Sequence, residues 1–135
     1  MSLLGELFAI EADFFFDVDK HRQGLTLLLD GCRKHKCLKV AEHNREIIGM
    51  CSGQTLISTA EGGVVAMVED LVVKTGWRGK GVGRMLLESM EAWSNSCGLK
   101  RLQLLADSEN DPALEFYQKN GWKVTQLICL RKRFR

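Results

Sequence analysis

The sequence contains no apolar run long enough to cross a membrane, no secretory leader, no internal repeat, no low-complexity tract and no linker-like stretch. These absences point to a single cytoplasmic domain over residues 1–135, long enough to bury a core and without a membrane partner. The net charge is only +2, too small to argue for a nucleic-acid partner. The one basic cluster, Arg131-Lys132-Arg133-Phe134-Arg135, reads as a solvated end or a phosphate-facing edge. Five cysteines, Cys32, Cys37, Cys51, Cys97 and Cys129, are an odd number without a framework, as expected of reduced thiols. Cys32-x-x-His35-x-Cys37, with His43 beyond it, lacks the paired spacing of a zinc knuckle, so no metal is expected.

Two familiar phosphate loops are also missing. A Walker loop needs Gly-Lys-Ser/Thr, which does not occur, and a dinucleotide fingerprint needs a third glycine where Arg84 stands. What is present is a strand-like run over residues 64–73, nearly continuous in apolar character and rich in β-branched side chains, as suits a central strand covered on both faces. Glu69 and Asp70 interrupt it. Ionisable groups rarely enter an interior strand, so at least one should face a solvated cleft or a partner. Trp77-Arg78-Gly79-Lys80-Gly81-Val82-Gly83-Arg84 follows, and then Met85, Leu86, Leu87, Met90, Ala92 and Trp93 at helical spacing. Glycines let backbone approach a bulky ligand, while the unpaired N–H groups and positive dipole end of the helix favour a phosphate. Arg78, Lys80 and Arg84 add formal charge around that end.

Arg78-Gly79-Lys80-Gly81-Val82-Gly83 resembles the Arg/Gln-x-x-Gly-x-Gly/Ala signature of the GNAT superfamily of N-acetyltransferases, whose loop holds the pyrophosphate of acetyl-CoA. A second stretch, residues 110–122, is similar to that family's other signature: Asn110, Ala113, Phe116-Tyr117, then Asn120-Gly121-Trp122. The likeness spans roughly residues 46–130, and residues 68–73 resemble the glucosamine-phosphate acetyltransferase branch. The family's usual first strand, with its Arg-x-Ala opening, has no counterpart in the sequence. The resemblance implies an α/β (α+β) GNAT fold, with a mixed, mostly antiparallel sheet, a parallel crossover around the acetyl-CoA loop and flanking helices.

Taken in order, residues 3–16 suit a first helix that frays into Phe14-Phe15-Phe16, and residues 20–33 suit a second, capped by Asp17 or Asp19, with Leu25, Leu28 and Leu29 inward and Lys20, His21 and Arg22 on a wet face. Residues 37–42 and 46–58 read as strands joined by a turn at His43-Asn44-Arg45. The glycine-loop helix should run to about Ser96 and stop at Gly98, and residues 101–106 form a strand beside the Val68 strand through a right-handed crossover. Pro112 suits the first turn of a helix over residues 113–119, and residues 122–130 read as a final apolar strand. That strand and the three phenylalanines point towards a homodimer.

Acetyl transfer to an amine needs a deprotonated nitrogen, a polarised thioester carbonyl and a proton for the departing thiolate. The family implies that the backbone of Leu71, Val72 and Val73 binds the pantetheine arm and the carbonyl oxygen. It implies that Arg78, Gly79, Lys80, Gly81, Val82, Gly83 and Arg84 cradle the pyrophosphate. Tyr117, the one tyrosine, also touches the cofactor and is the candidate acid, because a phenol with a pKa near ~10 is protonated at neutral pH and can donate to the CoA sulfur. Glu69 is the candidate base, directly or through water, with Asp70 second. Strand alternation would put the two on opposite faces, and a structural carboxylate or an ammonium anchor is the other reading of either. Asn110 would bind pantetheine or fix its loop, and Asp107 is a reserve amine ligand. The acceptor amine is left open. A CoA-binding or regulatory module without turnover is the rival function, and an α/β domain that binds no nucleotide is a weaker one.

Overall fold

The structure is a computed structural model that describes residues 17–30 and 35–134. The chain forms two compact units, one ending at Leu104 and the other beginning at Leu105.

The first unit holds a four-stranded sheet in the order β1-β2-β3-β4, built from β1 (Lys36–His43), β2 (Glu46–Ser58), β3 (Gly63–Val73) and β4 (Leu102–Leu104). β1, β2 and β3 form the expected antiparallel meander, and β4 joins β3 in parallel, with Ala66, Met67 and Val68 opposite Leu102, Gln103 and Leu104. Asn44 and Arg45 turn β1 into β2 with φ of 50° and 65°, the left-handed pair that a two-residue hairpin loop needs to match strand twist. Asn44 adopts that conformation readily, whereas a long side chain such as Arg45 does so at some cost.

Helix α1 (Val18–Leu29) starts where Asp17 accepts a hydrogen bond from the Lys20 amide at 3.1 Å, a cap anticipated from its position. It ends sooner than expected, at Leu29, with Asp30 as its cap, and residues 31–34, including the expected stop at Gly31 and Cys32, lie outside the described residues. So does the first helix expected over residues 3–16, with Phe14 to Phe16. Helix α2 (Val82–Ser96) stops at Cys97, and Gly98 follows with φ of 69° while the Leu99 amide returns to the Ser94 carbonyl at 2.9 Å.

The sheet has two covered faces. On one, Gly49, Cys51 and Gly53 recur at period two beneath α2, whose Val82, Leu86, Leu87 and Met90 are buried together with Cys51, Ala66 and Val68. Each such large side chain contributes about 1.5–3 kcal/mol by leaving water. On the other face Met50 and Val72 are buried under Leu25 of α1 and Leu38 of β1. The glycines set the depth of the α2 contact. A Cβ on Gly49 would lie 3.0 Å from Leu86 Cδ1, 3.2 Å from Val82 Cγ1 and 3.3 Å from the Val72 carbonyl oxygen. One on Gly53 would meet chiefly Met90 Sδ, at 2.9 Å. Gly49→Ala is therefore expected to lower stability by about 1–3 kcal/mol, read as a lower urea midpoint. Gly53→Ala should cost less because an unbranched thioether can swing aside.

The second unit is helix α3 (Asp111–Lys119) with its flanking segments. Here the sequence reading needs correction. Residues 122–130 form no strand, and β4 is three residues long rather than the expected six. The apolar pattern of that last segment was genuine, but a strand exists only where another edge takes its backbone groups. Instead Val124, Leu127, Ile128 and Leu130 stand 66–87% exposed.

Candidate active site

The two acids of β3 are brought together by an irregularity that alternation did not foresee. Opposite β2, Asp70 pairs with Ser52 and Val68 pairs with Gly53, so Glu69 is one residue too many on its strand. Such a bulge breaks the in-out alternation locally. Glu69 and Asp70 therefore line the same cleft, not opposite faces, as the sequence had suggested.

The cleft has a volume of about 350 Å³ and lies between α1 and the sheet, with Lys20, His21, Leu25, Leu28, Lys36 and Gln54 on its other walls. Ser52, fully buried, donates from Oγ to Asp70 Oδ2 at 2.8 Å and fixes that carboxylate. Burial raises the pKa of Glu69, and the neighbouring Asp70 charge adds to the rise, although part of Glu69 remains exposed. Asp70 is also raised by burial, which the Ser52 hydrogen bond and the nearby His21 partly offset. Behind them the buried Cys51 thiol is pushed up to about 12, first by burial and then by the Asp70 charge, so it is a neutral packing group and no nucleophile.

The same strand carries the second feature. The β3–β4 ladder ends at Val68 and Leu104, while β3 runs on to Val73 without a β4 partner. Leu71, Val72 and Val73 thus lie on a stretch of β3 that has no β4 partner. The Val73 carbonyl is not free, since it accepts from Arg78 Nε at 2.9 Å and so ties the loop to the strand. Beyond it the Trp77 amide turns back to the Lys74 carbonyl at 2.9 Å. Gly79 and Gly81 have φ of 75° and 86°, and Gly81 is the cap of α2 with no side chain over the helix end. The first helical bond runs from Met85 to Gly81, so the amides of Val82, Gly83 and Arg84 have no carbonyl a turn before them. Gly83 lies inside the first turn of α2.

The three cations expected around this end have partners of their own. Lys80 Nζ lies 5.3 Å from the centroid of the Trp77 ring, and Arg84 Nε pairs with Glu88 at 3.0 Å. His43 packs on the other component of this group, its ring centroid 4.7 Å from that of Trp77. Lys74 pairs with Glu46 beside it. Nothing in the local sequence of β1 signalled that His43 would meet the loop.

In the second unit, Asn110 Oδ1 accepts from the Ala113 amide at 3.3 Å and caps α3, so its loop-fixing role is the one the local geometry supports. Tyr117 is half-buried, edge-on to Phe116 and Trp122 with centroids 5.3 and 6.0 Å away. Gly121 has φ of 89°, and the Trp122 amide closes the helix end on the Tyr117 carbonyl at 3.0 Å. The Asn-Gly-aromatic signature is thus a helix stop that holds the tyrosine against a ring. Asp107 Oδ1 accepts from the Glu109 amide at 2.9 Å and shapes the preceding turn.

The cleft walls on α1 and β1 were missed from sequence, where Lys20 and His21 passed for a wet face. A signal did exist on β2, where Ser52 and Gln54 continue the face of Met50 with polar groups.

Comparison with known proteins adds the deciding observation: the profile of the Acetyltransferase (GNAT) family matches residues 4–122. The chain belongs to that family. A curated relative, an uncharacterized N-acetyltransferase, MJ1207, of Methanocaldococcus jannaschii, is 28% identical over 72 residues, covering 53% of this chain and 32% of that protein. The chain spans 31% and 32% of the length of two curated relatives it matches. Among solved structures, the aminoglycoside acetyltransferase meta-AAC0020 from an uncultured soil metagenomic sample superposes with a TM-score of 0.80 at 21% identity, covering 99% of this chain and 85% of that one. AAC(6')-Iy in complex with a bisubstrate analogue of CoA and acetylneamine gives 0.79 at 20% identity, covering 98% and 88%. At such identities these likenesses establish the GNAT fold, with its mixed sheet and flanking helices. Among the described residues no helix is long and apolar enough to cross a membrane.

Proposed function

We propose that this GNAT chain is an acetyl-CoA-dependent N-acetyltransferase, and that its two compact units serve one transferase domain over residues 1–135. The observation that carries the reading is the continuity of β3: a bulge bearing two acids, then an unpaired edge, then a glycine loop opening onto an uncapped helix end. The helix end suits a diphosphate and the unpaired edge suits an amide-bearing arm. The acids stand where the two meet.

In this reading a primary amine attacks the thioester carbonyl directly in a ternary complex. The new N–C bond forms as the C–S bond breaks. Glu69 takes the proton released by the nitrogen, with Asp70 as its neighbour and second candidate. A raised carboxyl pKa suits a base working nearer neutrality. Tyr117 gives its phenolic proton to the departing thiolate, an assignment that rests on the Phe116-Tyr117 signature and on phenol chemistry. The CoA-bound neighbour, and the family itself, support acetyl-CoA as the donor.

The direct test follows free thiol release from acetyl-CoA across a panel of amines. Tyr117→Phe is expected to lower kcat by roughly 10²-fold or more, with acetyl-CoA affinity retained. An unchanged kcat would remove Tyr117 from the mechanism. A melting temperature raised by acetyl-CoA without thiol release on any amine would instead favour the silent CoA-binding module.

A further inference from the structure

The acceptor cleft has a composition that narrows the amine it takes. Glu69 and Asp70 line it just before the stretch of β3 that has no β4 partner, where an acetyl group would be delivered. Lys20 on α1 and Lys36 on β1 face the same space. Two acids and two lysines leave the described lining with a formal charge of zero. His21 also lines the cleft, and its Nε2 accepts from the Asp17 amide at 3.1 Å.

The two lysines are not equivalent. Lys36 Nζ donates to the carbonyls of Leu27 and Asp30 at 2.9 and 2.8 Å, so its charge is engaged by the negative end of α1. Lys20 forms no ion pair with any described carboxylate and sits in the first turn of α1, where the helix dipole is itself positive. Asp17 and Asp19 share that end of the helix, and Lys20 is the cation there that lines the cleft. Leu25 and Leu28 add apolar wall to the same cleft, and at Gly24 a Cβ would meet nothing within 4 Å.

We infer that the acceptor is a compact primary amine carrying a carboxylate, its ammonium end facing Glu69 and Asp70, its apolar body along Leu25 and Leu28, and its carboxylate on Lys20. The inference rests on the transferase reading and deepens it. A cleft of about 350 Å³ lies at the small end for ligand sites. A polycation such as an aminoglycoside would set its additional ammonium groups against two lysines, and like charges brought together oppose binding.

The experiment compares kcat/KM, at saturating acetyl-CoA, for a series of ω-amino acids, the alkylamines of matching length, and kanamycin. In the best-fitting pair the amino acid should exceed its alkylamine by roughly fivefold, about 1 kcal/mol for one partly exposed ion pair. Lys20→Glu should reverse that preference and improve kanamycin. Glutamate suits a first helical turn, so the variant should fold, and an acetyl-CoA-induced rise in melting temperature verifies it. Equal rates within every pair, kanamycin as the best substrate of the unmodified protein, or a preference untouched by Lys20→Glu in a folded variant would each overturn the inference while leaving the transferase reading standing. No turnover of any amine, with acetyl-CoA binding intact, would overturn both.

Discussion

Glu69→Gln is expected to lower the rate of acetyl transfer by roughly 10²- to 10⁴-fold, the range for removing a general base, without lowering the melting temperature at neutral pH. The two halves of this expectation share one cause. The folded-state pKa values of Glu69 and Asp70 lie above their ordinary values of 4.5 and 3.8, chiefly because burial disfavours the charged forms. The folded protein therefore binds these protons more tightly than the unfolded chain. Stability from this source is present at acid pH and is lost as pH climbs through the raised folded-state values. Burial and the Asp70 charge both disfavour the charged form of Glu69, so a neutral glutamine there removes that penalty. The variant's melting temperature should equal or exceed that of the parent at neutral pH, with the difference vanishing below the ordinary carboxylate range. The acid limb of the parent's kcat/KM profile should lie above pH 4.5 and disappear in the variant. A variant with full activity would end the assignment of Glu69 as base. Asp70→Asn is the companion, since an amide oxygen can still accept from Ser52 and any rate loss then reports charge rather than collapse.

The second large effect is expected at the loop. Gly81→Val should weaken acetyl-CoA binding by about tenfold or more, measured by calorimetry. Space is not the reason, because a Cβ on Gly81 would meet nothing within 4 Å. The reason is the backbone: φ is 86°, and a β-branched residue held there is strained by about 1–3 kcal/mol. The loop escapes that strain by moving, and with it go the amides of Val82, Gly83 and Arg84, at about 1.4 kcal/mol per tenfold in affinity. Gly76→Val is the control. It has φ of 94° and equally open surroundings, so it shares the stability penalty but should affect affinity less. If both variants bind acetyl-CoA as the parent does, the loop is merely a turn.

Much of this site was legible residue by residue. β2 runs over Glu46–Ser58 as read, α2 ends at Ser96, Asp17 caps α1 and β4 lies parallel to β3, because caps, turn residues and periodicity are local signals. The glycine loop was legible as a turn into α2 because the left-handed backbone at Gly79 and Gly81 favours glycine. Three things were not. The bulge at Glu69 adds one residue to a strand without changing its composition, so alternation misassigned the faces of the two acids. The cleft joins α1, β1 and β3 across long sequence separations, and no local pattern reports which wet-face lysine will meet which strand. The terminal segment carries strand chemistry, but pairing depends on an available edge, which is not a property of the segment itself.

The surplus residue in β3 also changes how the strand would respond to systematic substitution. Ala66 and Val68 point beneath α2, whereas Asp70 and Val72, still even-numbered, point to the opposite side. A saturation scan of the strand would show tolerance to polar replacement oscillating with period two and then slipping phase by one position at 69. Deleting that single codon would bring the two halves into step, leaving Asp70 opposite Ser52 and removing the Glu69 carboxylate alone.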